Sequence, residues 1–238
     1  MPPTIVLVHG AFAESSSWDQ VIDMLLDAGH PVIAVANPLR GLAADAACVS
    51  DHLRSIEGPV VLVGHSYGGA VITNVDPEAA EIVGLVYVAA FAPKAGDSCF
   101  ELSAVFPGST LGDALQAVPR SDGTTDLTIV QERFHEQFAA DVPAPRAARM
   151  AATQRPVTQE ALVEPSGDRS LWRDLPSWFV FGEDDRNIPK AVQHFMAQRA
   201  GAHRTLEIPG ASHAVAVAHP GTTAHVILDA ASARVASS

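Results

Sequence analysis

The chain has 238 residues, enough for one sizeable α/β domain carrying an inserted subdomain. At 47% hydrophobic it is too apolar for a mostly disordered protein, and its net charge of −12 argues against binding nucleic acid or anionic membrane surfaces. Cys48 and Cys99 make no disulfide framework, MPPTIVLVHG lacks the features of a signal peptide, and no apolar run nears the roughly 20 residues that span a bilayer, so a cytoplasmic setting is the expectation.

Thr4–Val8 (TIVLV) reads as a short buried strand, and its exit, His9-Gly10-Ala11-Phe12, as a tight turn. Glu14–Ala28 reads as a helix with Trp18, Val21, Ile22, Leu25 and Leu26 on one face, ended by Gly29. Pro31–Ala36 is the second strand. Leu42–Ile56 is the second helix, with Leu42, Val49, Leu53 and Ile56 as core positions. Val60–Val63 is the third strand and runs into Gly64-His65-Ser66-Tyr67-Gly68, a G-x-S-x-G pattern in a strand–turn–helix setting. The bare pattern arises by chance in roughly one chain in ten of this length, so its weight comes from the strand before it and the small residues after it. Gly64 and Gly68 clear the space around a strained corner. Ser66 then sits at a helix N-terminus, where free N–H groups favour developing negative charge.

Ile82–Val88 is the fourth strand. Beyond Pro93 the pattern breaks, with turn-forming clusters at Pro107-Gly108-Ser109 and Pro165-Ser166-Gly167 and amphipathic stretches at Leu127–Ala140 and Ala144–Gln154. This is too long for a structureless loop, so residues 94–174 are expected to form a mostly helical cap. Trp178–Phe181 and Arg204–Ile208 are the fifth and sixth strands. Residues 1–93 and 175–238 then make an α/β core, a mostly parallel, doubly wound sheet covered on both faces. Right-handed crossovers bring the strand C-termini to one edge, where such sheets bind ligands. The tail Ala230–Ser238 is small and polar enough to fray.

A serine hydroxyl needs an adjacent base, and the base an acid to orient it. Past the fifth strand come Glu183, Asp184 and Asp185, and past the sixth comes His213, both at the edge that holds Ser66. Any of the three acids could serve, at least two of them being solvated turn residues before a helix starting at Pro189; Asp97, after the fourth strand, is a weaker competitor. His65 adjoins Ser66 but is expected to point away from it, because side chains near a strand end alternate. His219, before Pro220, reads as a helix start. Backbone N–H groups of Tyr67 and Ala11 are placed to form an oxyanion hole. Phe12, Phe91, Phe134 and Trp172 are candidate walls of a substrate pocket, with Phe100, Phe106 and Phe138 as further aromatics. No H-E-x-x-H, C-x-x-C or dinucleotide fingerprint occurs, so no metal and no cofactor are expected.

With VLVHGAFAESSSW, AGHPVIAVANP, VVLVGHSYGGAVI, VYVAAFAP, FGEDDRNIP and IPGASHAV in place from Val6 to about Val215, the chain resembles the α/β-hydrolase superfamily. It is similar in particular to the small cofactor-free esterases related to plant methyl-ester esterases and hydroxynitrile lyases; the cap matches only loosely. The resemblance implies the α/β-hydrolase fold, Ser66 as nucleophile, His213 as base, Asp185 as acid, and a small-molecule ester as substrate. The lyases of that group carry a lysine directly after the catalytic histidine, where this chain has Ala214, so a cyanohydrin lyase lacks its positive charge. The rivals are a cyanohydrin or carbon–carbon lyase on the same triad and, from another class, a low-turnover ligand receptor on the same scaffold. Oligomeric state leaves no signature.

Overall fold

A computed structural model of the chain describes residues 2–233, so the residues of the expected frayed tail beyond 233 lie outside the described part. In chain order, β1 (Thr4–Val8) leads through a 3₁₀ turn, Ser15–Trp18, into α1 (Asp19–Asp27). Next come β2 (Val32–Val35), α2 (Leu42–Leu53), β3 (Pro59–His65), α3 (Tyr67–Thr73) and β4 (Glu81–Val88). The insertion that follows β4 holds α4 (Cys99–Ser103), β5 (Leu115–Pro119), β6 (Thr125–Ile129), α5 (Gln131–Phe138), α6 (Ala144–Thr153), β7 (Val157–Thr158) and α7 (Gln159–Val163). The core resumes with β8 (Ser177–Gly182), α8 (Lys190–Arg199), β9 (Arg204–Ile208), α9 (Val215–Ala218) and α10 (Pro220–Ser232).

The six core strands form one parallel sheet in the order β2-β1-β3-β4-β8-β9. The four inner strands read as continuous apolar runs because helices bury both of their faces, whereas the edge strands β2 and β9 are only half covered. The order reverses beside β1 and β3, so their exits face a common crevice at the C-terminal edge.

Val21 and Leu25 carry the buried face of α1, with Trp18 buried just before it, while Leu26, about 100° round the helix from Leu25, is exposed. Gly29 closes the helix at φ +85, a left-handed conformation that suits glycine. Its N–H bonds Leu26 O and the N–H of His30 bonds Leu25 O, so the last carbonyls are satisfied.

The insertion combines the helices α4–α7 with a small sheet that its sequence pattern did not suggest. β5, β6 and β7 pair as a three-stranded antiparallel sheet, and the Leu127–Ala140 stretch divides into the end of β6 and the helix α5. The insertion is tied to the core by polar contacts. Glu164 accepts the N–H groups of Leu42 and Ala43 at 2.5 and 3.3 Å, capping α2 where its dipole favours an anion. Arg40 pairs with Asp126 at 2.7 Å, and the hydroxyl of Thr158 donates to Arg40 O at 3.0 Å. Among the described residues no helix is long and apolar enough to cross a membrane.

Candidate active site

β3 ends at His65, and the chain turns at Ser66 with φ +54 and ψ −123 to enter α3. A non-glycine residue in that conformation is strained and must be held by its surroundings. They do hold it: Ser66 N–H donates to Val88 O, and Ser66 O accepts from Gly69 and Phe91. The corner also requires bare backbone around it. A Cβ on Gly64 would lie 2.5 Å from Gly68 O, and one on Gly68 would lie 2.3 Å from Val8 O. Ser66 keeps 8% of its surface and faces a cavity of about 120 Å³.

His213 lies in the loop after β9, and Asp185 in the loop after β8. Their side chains are fully buried and meet at 2.7 Å, Nδ1 to Oδ2. A carboxylate accepts, so Nδ1 carries the proton and Nε2 is left as a lone-pair nitrogen. Nε2 has no hydrogen-bond partner among the described residues. Asp185 is itself held: Oδ1 accepts the N–H groups of Asn187 and Ile188 at 2.8 and 2.9 Å, and Oδ2 takes Gln193 Nε2 at 3.3 Å. The other acids go elsewhere. Glu183 is paired with Lys190, which holds its carboxyl below the usual range. Asp184 is exposed, and Asp97 pairs with Arg199 at 2.8 Å.

His65 does not stand apart from this group. Its ring centroid lies 4.8 Å from that of His213, and its Nε2–H donates to His213 O at 3.1 Å. Burial first, then the neighbouring imidazole, pushes His65 well below its ordinary range, so it is a neutral donor. It ties the residue before Ser66 to the base loop. His219 is the residue before α10, as expected for a helix start.

Ala11 and Tyr67 both line the cavity with Ser66, and Tyr67 opens α3, where an N–H has no partner within the helix. Tyr67 is fixed by its hydroxyl, which donates to the buried Asp45 at 2.8 Å. The turn that carries Ala11 is fixed by His9, whose Nδ1–H donates to Gly10 O at 2.9 Å while Nε2 accepts from Asn37 N–H at 3.1 Å. Burial lowers His9 to about 4, so it is neutral when folded. Unfolded, it titrates near 6.5. Between these values the unfolded chain binds the extra proton, so stability is full above pH 6.5 and declines as pH falls toward 4, by about 3 kcal/mol from this residue. Urea midpoints measured at pH 7 and pH 4.5 should show that decline, and His9→Gln should reduce it, the remainder including the contribution of the likewise neutral His65; an undiminished decline in His9→Gln would rule out a neutral buried His9.

Of the four candidate pocket residues, Phe12 and Phe91 line this cavity and Phe134 and Trp172 do not. Phe134 is fully buried and stacks on Phe138, with ring centroids 4.9 Å apart. Trp172 donates its indole N–H to Pro93 O and packs under Arg199. Both are packing residues of the insertion. The rest of the wall includes Cys99, Phe100, Leu111, Leu115 and Leu162 from the insertion and Asn187 and Ile188 from the acid loop. Of these, sequence reading reached only Phe100; Asn187 and Ile188 stood in the FGEDDRNIP segment without being singled out. None of the lining side chains is Asp, Glu, Lys, Arg or His. Among the described residues no group of three or more His, Cys, Asp or Glu is placed to hold a metal.

The alpha/beta hydrolase family model matches residues 5–226. The chain belongs to that family. It is 29% identical to a pyrethroid hydrolase of Sphingobium wenxiniae over 96% of this chain and 88% of that protein. It is 38% identical to a carbendazim hydrolyzing esterase of a Nocardioides species, in a match spanning 41% of this chain and less than half, 46%, of that protein. The crystal structure of polyneuridine aldehyde esterase superposes with a TM-score of 0.79 at 21% identity, over 96% of this chain and 99% of that one. That of a pyrethroid hydrolase does so at 0.77 and 24%, over 97% and 98%. These likenesses place the alpha/beta hydrolase beside esterases and other hydrolases, and at such identities the two solved structures speak for the fold.

Proposed function

We propose that this alpha/beta hydrolase cleaves carboxylic esters through an acyl-enzyme, with Ser66 as nucleophile, His213 as general base and Asp185 as the acid that orients it. The observation that carries the reading is the buried Asp185–His213 pair, which leaves an unpartnered Nε2 at the sheet edge where the Ser66 corner stands. Nε2 takes the hydroxyl proton as Ser66 Oγ bonds to the carbonyl carbon. The backbone N–H groups of Ala11 and Tyr67 stabilise the oxyanion. The tetrahedral adduct then collapses, and the imidazolium returns the proton to the departing alkoxide. Water repeats the sequence on the acyl-enzyme, releasing the acid and restoring Ser66.

The uncharged wall supports a neutral, apolar part of a small-molecule ester as the occupant of the cavity. It supplies no cation for a departing cyanide, and Ala214 offers none beside the base, which favours ester hydrolysis over cyanohydrin cleavage. The proposed compartment is the cytoplasm. A panel of p-nitrophenyl esters tests the proposal: neutral acyl groups should turn over, and acyl groups ending in a carboxylate should lose about a hundredfold or more in kcat/KM, the cost of a few kcal/mol for an unpaired buried charge. Tight saturable binding with negligible hydrolysis of every ester would turn the reading toward a receptor.

A further inference from the structure

Three side chains near the end of α5 reach the loops that carry the proposed acid and base. Gln137, nearly fully buried, donates from Nε2 to Asn187 Oδ1 at 2.8 Å and to Arg186 O at 3.0 Å, within the loop whose N–H groups hold Asp185. The Phe138 ring stands edge-on to His213, with centroids 4.9 Å apart. Asp141, just past the helix, accepts the Ser212 hydroxyl at 2.5 Å on one carboxylate oxygen and meets His219 Nε2 at 2.9 Å with the other.

We propose that Asp141 is a positioning residue that sets the base loop through Ser212. The inference rests on the proposed roles of Ser66 and His213. Ser212 directly precedes His213 and is buried, and its oxygen also accepts the N–H of Ala214, directly after His213. One hydroxyl therefore brackets the base on both sides, and Asp141, with Phe138 O as a longer second acceptor at 3.3 Å, fixes where that hydroxyl stands. The second carboxylate oxygen ties the same anchor to the residue that opens α10. No strand holds the loop between the end of β9 and α9; Asp184 N–H to Ala211 O and His65 Nε2–H to His213 O tie it to the core, and the Asp141–Ser212 contact ties it to the insertion. Because Asp141 belongs to the insertion, the base is aligned only when the insertion is seated on the core. Asp141 touches no atom of the proposed reaction; it acts by where it holds Nε2, and misplacement by about 1 Å can cost on the order of a hundredfold in rate.

The test compares Asp141→Ala, Asp141→Asn, Ser212→Ala and the Asp141→Ala/Ser212→Ala double variant. Each is assayed on a p-nitrophenyl ester, with active sites counted by a fluorophosphonate probe and folding followed by thermal melting. Asp141→Ala should lower kcat per folded site by about tenfold to a hundredfold and change KM by less than about threefold. Asparagine keeps an acceptor for Ser212 and should recover to within about threefold of the parent. The double variant should be no worse than the poorer single variant, because both remove one contact. Unchanged kcat in Asp141→Ala, no recovery with asparagine, or losses that multiply in the double variant would each overturn the proposal. Ser66→Ala is run alongside: if that variant keeps its activity, the nucleophile assignment fails, whereas an inactive Ser66→Ala beside a fully active Asp141→Ala refutes the positioning role alone.

Discussion

Ser66→Ala should lower kcat by about 10⁴- to 10⁶-fold and abolish labelling by a fluorophosphonate, while the protein stays folded. The two halves of that result have separate causes. The hydroxyl supplies the only bond to the acyl group in the proposed pathway, so without it the remaining cavity and N–H donors act on water alone. The hydroxyl makes no capping bond to α3, and the strained corner is held by the backbone bonds of Ser66 to Val88, Gly69 and Phe91, which alanine retains. The melting temperature should therefore stay within a few degrees, as for a change that removes no buried contact. A loss of under tenfold, measured after excluding wild-type contamination, would remove Ser66 from its role.

The proposed centre was legible where a local signal coincided with a topological one. Ser66 follows a continuous apolar strand and is flanked by glycines that only a tight corner needs. Asp185 and His213 each follow an apolar strand, and a parallel sheet puts all such exits on one edge. The acid was ambiguous among three neighbours, because a carboxylate's direction in a turn depends on side-chain packing that no pattern encodes; the structure turns Asp185 inward and Glu183 toward Lys190. The short strands of the insertion were not legible for a related reason. Strands of two to five residues such as Val157–Thr158 and LQAVP carry too few positions to separate a period of two from one of 3.6. Phe134 and Trp172 are apolar whether they wall a cavity or fill a core, and only the path of the insertion decides between these. His65 illustrates the limit of alternation: the rule gives a side of the strand, but not that the loop after β9 brings His213 to that side.

Asp185→Asn should cost about 10⁴-fold in kcat with little change in KM, and the hydrogen bonds around Asp185 explain why a near-isosteric change does so much. Oδ1 accepts two backbone N–H groups, from Asn187 and Ile188. An asparagine must keep its carbonyl oxygen there, since turning its NH₂ to them would set donor against donor in a buried site. The amide NH₂ then faces His213 Nδ1, which must become the acceptor. The ring proton moves to Nε2, and the nitrogen that should take the Ser66 proton already holds one. The swap also turns the partner of Gln193 from acceptor to donor, but Gln193 Oε1 has no partner among the described residues, so its amide can flip and accept the new N–H. The fold therefore tolerates the substitution while the base is locked in the wrong tautomer. KM should hold because Asp185 does not line the cavity, whereas Asn187 and Ile188 do. Glu183→Gln and Asp184→Asn, outside this group, should stay within about threefold of the parent, as surface changes do. Steady-state kinetics on one neutral ester decides the matter: an Asp185→Asn enzyme within tenfold of wild type would show that His213 needs no acid at this position.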